Sequence, residues 1–103
     1  MKIDSKLANA IESGDFIITA EYLPVAGTNN SAIESAASFF GKSALAVNVA
    51  DNHYGIAMSS LAVSVAFLKA GVEPVYQIVT RDRNRIAIQS DLLGAAYLGI
   101  KNV

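Results

Sequence analysis

Residues 71–79, GVEPVYQIV, show most clearly the pattern that decides the fold: a glycine followed closely by a short apolar run. Gly71 is typical of the residue that ends a helix, because glycine adopts the left-handed conformation at little cost. The run 74–79 is short, continuous rather than alternating, and largely β-branched or aromatic. This composition predicts a strand that is buried on both faces, as in a parallel sheet.

The same pattern recurs along the chain. Apolar runs at 16–20, at 44–49 and from Ile100 onward follow Gly14, Gly41 and Gly99. Between the runs, helix caps and apolar residues at three- and four-residue spacing predict helices. The predicted helices cover residues 5–13, 30–40, 56–70 and 84–98. From Gly41 onward the helix-ending glycines are 30 and 28 residues apart, which indicates a repeating βα unit.

A repeating βα order predicts an α/β fold, for which two architectures compete. A doubly wound sheet usually carries a glycine-rich phosphate turn after its first strand, but residues 22–29, YLPVAGTN, contain no G-x-G-x-x-G. A (β/α)8 TIM barrel needs no such turn. We therefore expect residues 1–103 to form one incomplete TIM-barrel domain, with a short helix before three and a half βα units. Because a closed barrel takes about 250 residues, the chain is expected to be the N-terminal part of a longer protein.

Composition excludes several classes of protein. The 103 residues are 52% hydrophobic and 17% charged, which is too apolar for a disordered segment. A net charge of -1 disfavours nucleic-acid binding, and the absence of cysteine excludes disulfides and thiolate metal sites. The longest apolar stretch, 56–68, is shorter than the roughly 20 residues of a membrane span. We expect a cytoplasmic protein that binds neither nucleic acid nor membrane.

Polar residues concentrate where the predicted strands end, which is where βα barrels place their functional groups. Glu21 follows the first run and suits either a general acid or a loop glutamate paired with an arginine. Gln77 lies inside the third run, where burial requires a hydrogen bond to a ligand or to a neighbouring strand. Asn48 lies in the second run, and Thr80 and Asp82 follow the third.

Two clusters near these strand ends have alternative interpretations. Residues 51–53, Asp-Asn-His, are typical of a turn and helix cap, and a metal role for His53 is disfavoured because no second histidine exists. Residues 81–85, RDRNR, suit helix capping by Asp82 or Asn84 with exposed arginines. The alternative is recognition of an anionic ligand, since arginine matches carboxylate and phosphate geometry.

Three segments together resemble the methylenetetrahydrofolate reductase family. They are 16–24, FIITAEYLP; 80–85, TRDRNR, with 89–95, QSDLLGA; and the ending 98–103, LGIKNV. The resemblance covers nearly the whole chain. It implies a FAD-dependent TIM barrel that reduces 5,10-methylenetetrahydrofolate to 5-methyltetrahydrofolate in one-carbon metabolism, using NAD(P)H or another electron donor. It also implies a homo-oligomer when the protein is complete.

The resemblance assigns roles residue by residue. Glu21 matches the family's general acid, and Asn48 matches a polar residue near the flavin. Gln77 stands where the family often has a histidine, which keeps a hydrogen bond possible but removes a titratable group. Thr80 and Asp82 match positions near the flavin face.

The family's fourth-strand aspartate and most of its FAD and folate contacts come from later strands, so the isolated chain is expected to be inactive. The alternative is a small non-catalytic α/β subunit that completes its sheet by oligomerisation or by docking on a partner.

Overall fold

The computed structural model describes residues 4–103 and shows a small α/β domain with a parallel three-stranded sheet. The chain alternates helices and strands, as the repeating pattern predicts. In chain order the elements are α1 (Lys6–Ser13), β1 (Thr19–Tyr22), α2 (Asn30–Phe40), β2 (Ala46–Val49), α3 (Ser60–Lys69), β3 (Pro74–Tyr76) and α4 (Arg85–Tyr97). No helix in this part of the chain is long and apolar enough to cross a membrane.

The strands lie in the order β1-β2-β3, and both pairs are parallel. Beyond α4 the chain returns to the free side of β3, where Asn102 forms a single parallel bridge with Val75. The Tyr76 N–H donates to the Asn102 carbonyl at 3.0 Å. The order therefore continues as β1-β2-β3 and then the segment that contains Asn102.

Helices α2, α3 and α4 pack on one face of the sheet. Val47 and Val49 of β2 are fully buried against α3 and α2, and the Phe67 ring meets the Tyr22 ring edge-on with centroids 5.1 Å apart. Farther along the sheet, Tyr76 packs with Ala95 of α4. Side chains alternate between the two faces of a strand, so this helix-covered face takes every second residue of each strand.

The opposite face of the sheet, which we call the open face, consists of Thr19, Glu21, Ala46, Asn48 and Val75. Glu21 and Asn48 are partner positions of the β1–β2 ladder, and Asn48 and Val75 are partner positions of the β2–β3 ladder. Thr19 and Glu21 are exposed, whereas Asn48 and Val75 are half-buried. The sheet therefore has an apolar, helix-covered side and a side that carries polar groups.

Helix boundaries follow from side-chain caps. Ser5, Asn29, Ser59 and Asn84 each accept the backbone N–H three residues later. The cap at Ser59 explains why α3 begins at Ser60 and not at residue 56, as the apolar pattern predicted. The prediction of a capped α4 is confirmed, and Asn84, not Asp82, is the cap.

Helix-ending glycines are confirmed at three of four positions. Gly14, Gly71 and Gly99 have positive φ angles of 73°, 83° and 90°. Gly41 was predicted to be left-handed and is not, since its φ is -61° and its N–H still bonds back to the Ala37 carbonyl.

Two strands are displaced from the predicted runs. β1 begins at Thr19 and reaches Tyr22, although the apolar run covers 16–20, because only these residues face β2 in register. Phe16, at the start of that run, is 93% exposed. β3 ends at Tyr76, although the run continues to residue 79. Glu21 therefore lies within β1, and Gln77 lies just beyond β3.

Helix α1 lies at the amino ends of the strands. The Glu73 carboxylate, directly before β3, accepts the N–H groups of Lys6 and Leu7 at 2.8 and 2.9 Å. The Ser5 hydroxyl donates to the Asn102 side chain at 2.8 Å. A carboxylate at a helix N-terminus is favourable because the unpaired N–H groups and the helix dipole carry positive charge there. These contacts seat α1 at the end of the sheet opposite to the predicted site.

Candidate functional site

The carboxyl ends of the three strands lie at one edge of the sheet because the strands are parallel. Three loops leave this edge, comprising residues 23–29, 50–59 and 77–84. Of the predicted site residues, Glu21 and Asn48 lie in the carboxyl-terminal halves of β1 and β2. Gln77, Thr80 and Asp82 lie in the loop of residues 77–84. This edge, together with the adjoining part of the open face, is the candidate site.

Glu21 and Asn48 are brought side by side on the open face. They are ladder partners, so their side chains emerge from adjacent strands toward the same side. The Asn48 Nδ2 donates to the Ala20 carbonyl at 3.2 Å and lies 3.4 Å from the Thr19 hydroxyl, which directs the Asn48 amide oxygen away from these partners. Within residues 4–103 no hydrogen bond or ion pair reaches the Glu21 carboxylate. The arginine partner considered for Glu21 does not occur among these residues.

Gln77 is held through its main chain. Its N–H donates to the Val49 carbonyl at 3.3 Å, and its carbonyl accepts from the buried Ser60 hydroxyl at 2.8 Å. By the alternation of an extended chain, its side chain lies on the same side as Val75, that is, on the open face. The hydrogen bonds of Gln77 to neighbouring elements thus involve its main-chain N–H and carbonyl. Its side-chain amide remains available for other partners.

Asp51 lies at this same edge of the sheet, two residues after β2. It was predicted to be part of a turn, but its side chain is fully buried beneath the loops. Its carboxylate accepts the Val79 N–H at 2.7 Å and forms a bidentate ion pair with Arg83. Burial by itself raises the pKa of a carboxyl group, but the bonds from Arg83 and Val79 and the Arg83 charge outweigh it. The pKa of Asp51 therefore lies below its ordinary value of 3.8.

Arg83 is correspondingly half-buried and not the exposed arginine that the capping interpretation expected. Its Nη1 also donates to the Val79 carbonyl at 2.8 Å, and its Nε lies 3.5 Å from Asp91 of α4. The sequence does not reveal that Asp51 and Arg83 form a pair, because the two residues are 32 positions apart. The sequence signal is weak: Asp51 comes two residues after β2, and Arg83 comes seven residues after β3.

Thr80 and Asp82 lie in the loop that follows β3 at the same edge. Both are exposed, and Asp82 is paired with its neighbour Arg81 at 2.8 Å. Among the described residues, no hydrogen bond or ion pair connects either of them to Glu21, Asn48 or Gln77. The structure thus places Glu21 and Asn48 side by side, with Gln77 just beyond the neighbouring strand β3. Thr80 and Asp82 are exposed in the loop after β3, which forms the rim of the candidate site.

Two depressions border the rim around His53, whose ring meets that of Tyr54 edge-on at 4.3 Å. One has a volume of about 380 Å³ and lies between the first two loops, with mostly apolar walls. The other, of about 320 Å³, is bordered by His53, Arg81 and Asp82. In residues 4–103 no group of three or more His, Cys, Asp or Glu side chains could hold a metal ion.

Comparisons of the chain with protein-family models, with curated proteins and with solved structures find no match.

Proposed function

We propose that this chain forms the first βα units of a FAD-dependent methylenetetrahydrofolate reductase barrel and that Glu21 is the general acid. The observation that carries the proposal is the placement of Glu21 beside Asn48 on the open face of a parallel sheet, at the carboxyl end. Segments 16–24, 80–85 with 89–95, and 98–103 supply the resemblance to that family. The placement of Glu21 supplies the geometry of the proposed site, and the resemblance supplies the proposed reaction.

The strand order supports a barrel over a doubly wound sheet. In the doubly wound order 3-2-1-4-5-6 the fourth strand lies beside the first. Here the chain after α4 reaches Val75 of β3 instead. The three helices that follow strands all pack on one face, which is the arrangement of an outer helical ring around a barrel. The open face then becomes the interior of the barrel.

The register supports the grouping of the site residues. An eight-stranded barrel with a shear of about 8 shifts by roughly one residue per strand, so side chains from alternate strands form one layer. Val75 is level with Glu21 in the ladder, and Gln77 lies two residues farther on. In such a barrel, a shift of two residues over two strands would set Glu21 and Gln77 in the same layer, and Asn48 would lie on the strand between them.

The donor set fits a flavin ring system. Asn48 and Gln77 present amide groups, which donate and accept hydrogen bonds, and a flavin edge carries both carbonyl acceptors and an N–H donor. The bound FAD would supply the hydride. Glu21 would hold a proton at its carboxyl oxygen and donate it to a ring nitrogen of 5,10-methylenetetrahydrofolate, which opens the methylene bridge to an electrophilic iminium ion. A glutamate carboxyl group suits this protonation step, which precedes hydride transfer.

The proposal includes residues that later strands supply, among them an aspartate on the fourth strand and most FAD and folate contacts. The test therefore uses the full-length protein as its gene encodes it. Purified protein is expected to bind FAD stoichiometrically and to form 5-methyltetrahydrofolate in the presence of a reduced nicotinamide or an artificial electron donor. Failure to bind FAD, or binding without any folate reduction by several donors, would overturn the proposal.

The second candidate, a non-catalytic α/β subunit, would use an apolar surface that helix α4 exposes. Helix α4 exposes Ile86, Leu93 and Tyr97 along one side, with exposed fractions of 75%, 75% and 90%. In a barrel such a stripe packs against the next helix, whereas in a subunit it packs against another protein. The native mass of the protein in its source separates the two. A mass near 27 kDa or above, about that of a closed barrel, supports the reductase, and a stable oligomer of 10.8 kDa chains supports the subunit.

A further inference from the structure

The Asp51 carboxylate continues the β2–β3 ladder after the backbone pairing ends. In that ladder the Val47 N–H donates to the Glu73 carbonyl, and two residues farther along the Gln77 N–H donates to the Val49 carbonyl. In a continued ladder the Asp51 N–H would donate to the Gln77 carbonyl, and the Val79 N–H would then donate to the main-chain carbonyl of Asp51. Instead, Val79 donates to the Asp51 side chain at 2.7 Å.

The same ion pair holds the other side of the Val79 residue. The Arg83 Nη1 donates to the Val79 carbonyl at 2.8 Å while it binds Asp51. Both polar groups of Val79 are therefore bonded to charged side chains, and such bonds are stronger than those between neutral groups. With the Asp51 side chain fully buried, little water competes for these bonds.

We propose that Asp51 is a positioning residue for the candidate site. It holds Val79 directly and through Arg83, and Val79 lies between Gln77 on the open face and Thr80 at the rim. The inference rests on the proposed function, since the positioned groups are those assigned to flavin binding. Asp51 itself lies on the helix side of the loops with Arg83 and acts only through the backbone that it fixes.

The test compares Asp51→Asn with a matched control, Asp91→Asn, in the full-length protein. Asp91 contacts the same arginine at 3.5 Å but makes no bond to Val79. Amide hydrogen exchange of a peptide covering residues 77–84 reports how firmly the segment is held. The dissociation constant for FAD and the visible spectrum of the bound flavin report the consequence at the site. Arg83→Lys provides a second variant, which keeps the charge and loses the two-pronged geometry.

In Asp51→Asn, exchange of the Val79 amide is expected to be about tenfold faster and FAD binding about tenfold weaker, with an altered flavin spectrum. Arg83→Lys should show the same changes to a smaller degree. Asp91→Asn should leave the exchange, the FAD affinity and the flavin spectrum unchanged. Unchanged exchange in both Asp51→Asn and Arg83→Lys would overturn the proposal. Faster exchange with unaltered FAD affinity and spectrum would overturn it as well.

The two proposals fail in different ways. If the wild-type protein binds no FAD, the reductase assignment fails, while the exchange comparison still decides whether Asp51 holds residues 77–80. If Asp51→Asn does not fold, amide exchange and FAD binding in Arg83→Lys, compared with Asp91→Asn, decide whether the ion pair positions residues 77–80.

Discussion

Arg83 binds the buried carboxylate of Asp51 through both of its terminal nitrogens, and this pair joins the loop after β2 to the loop after β3. The two residues lie 32 positions apart in the chain. They connect consecutive βα units directly behind the strand ends where Asn48 and Gln77 lie.

The first prediction concerns the stability that this pair provides. Asp51→Ala leaves Arg83 and the Val79 N–H without their buried partner, and removing one member of a buried pair costs about 3 kcal/mol or more. Asp82→Ala removes the acidic member of an exposed pair and should leave the free energy of unfolding unchanged. Urea titration of both variants measures the difference. Equal effects would mean that burial does not strengthen the first pair.

The second prediction follows from the lowered pKa of Asp51. A carboxyl group whose folded pKa lies below its unfolded value stabilises the fold above the unfolded value, and this contribution is lost as pH falls through the folded pKa. The loss should begin below about pH 5 and should be smaller in Asp51→Asn. Urea midpoints across the acid range for the two proteins provide the measurement.

Neighbouring groups do not reverse this sign. Burial and the nearby Asp91 raise the pKa of Tyr76, so its hydroxyl stays protonated throughout the acid range. Arg83 stays charged, because its bond to Asp51 raises its pKa further. Parallel pH profiles for wild type and Asp51→Asn would contradict the prediction.

The third prediction separates the two half-reactions of the proposed enzyme. Glu21→Gln keeps the shape of the side chain and removes its proton, so folate reduction should fall by about a hundredfold or more. Oxidation of the electron donor should change little, because that step needs no acid at this position. Stopped-flow measurement of each half-reaction in the full-length protein tests this.

Glu34→Gln is the matched control for Glu21, since Glu34 is an exposed residue of α2 in the helix layer. Both half-reactions should be normal in that variant. Equal loss of both half-reactions in Glu21→Gln would indicate a structural role for Glu21.

The fourth prediction addresses the core beneath the site. Phe67 is fully buried, and its ring packs edge-on against Tyr22, next to Glu21 in β1. Phe67→Ala should destabilise the fold by about 3–5 kcal/mol, because it combines lost burial with a cavity. Phe39→Ala, at a position 71% exposed, should cost far less. Thermal unfolding of the two variants compares the same substitution inside and outside the core.

The fifth prediction concerns the seating of α1. Glu73→Ala removes the acceptor for the Lys6 and Leu7 N–H groups and should cost about 1–2 kcal/mol, as loss of a helix cap does. Glu73→Gln retains an acceptor and should recover part of that loss. Faster amide exchange in α1 of Glu73→Ala would identify the cause, with any further change expected near Asn102, whose side chain also donates to Glu73 at 3.0 Å. Unchanged exchange in α1 would contradict the prediction.

The sequence predicted the order of elements well because that order depends on local signals. Glycines at 14, 71 and 99 end helices in the expected left-handed conformation, and Asn84 caps α4. Strand limits were predicted less well. Phe16 looks like a strand residue by composition, yet it is exposed, because a strand ends where its neighbour in the sheet ends.

For the candidate site, the sequence identified the residue types and the tertiary structure decided their grouping. The position of Glu21, Asn48 and Gln77 at strand ends follows from chain order alone. Their presence on one face depends on register, which is set by pairing between segments about 27 residues apart and cannot be read from either segment alone.

Local chemistry thus determined the α/β class of this protein, its helix caps and the concentration of polar groups at one edge. Only the tertiary structure decided that Asp51 is buried and bonded to Arg83 and Val79, and that Asp82 is left at the rim with Arg81. The reason is physical: a helix cap or a turn is satisfied by neighbours in the chain. A buried charge needs a partner that only the packing of distant segments can bring to it.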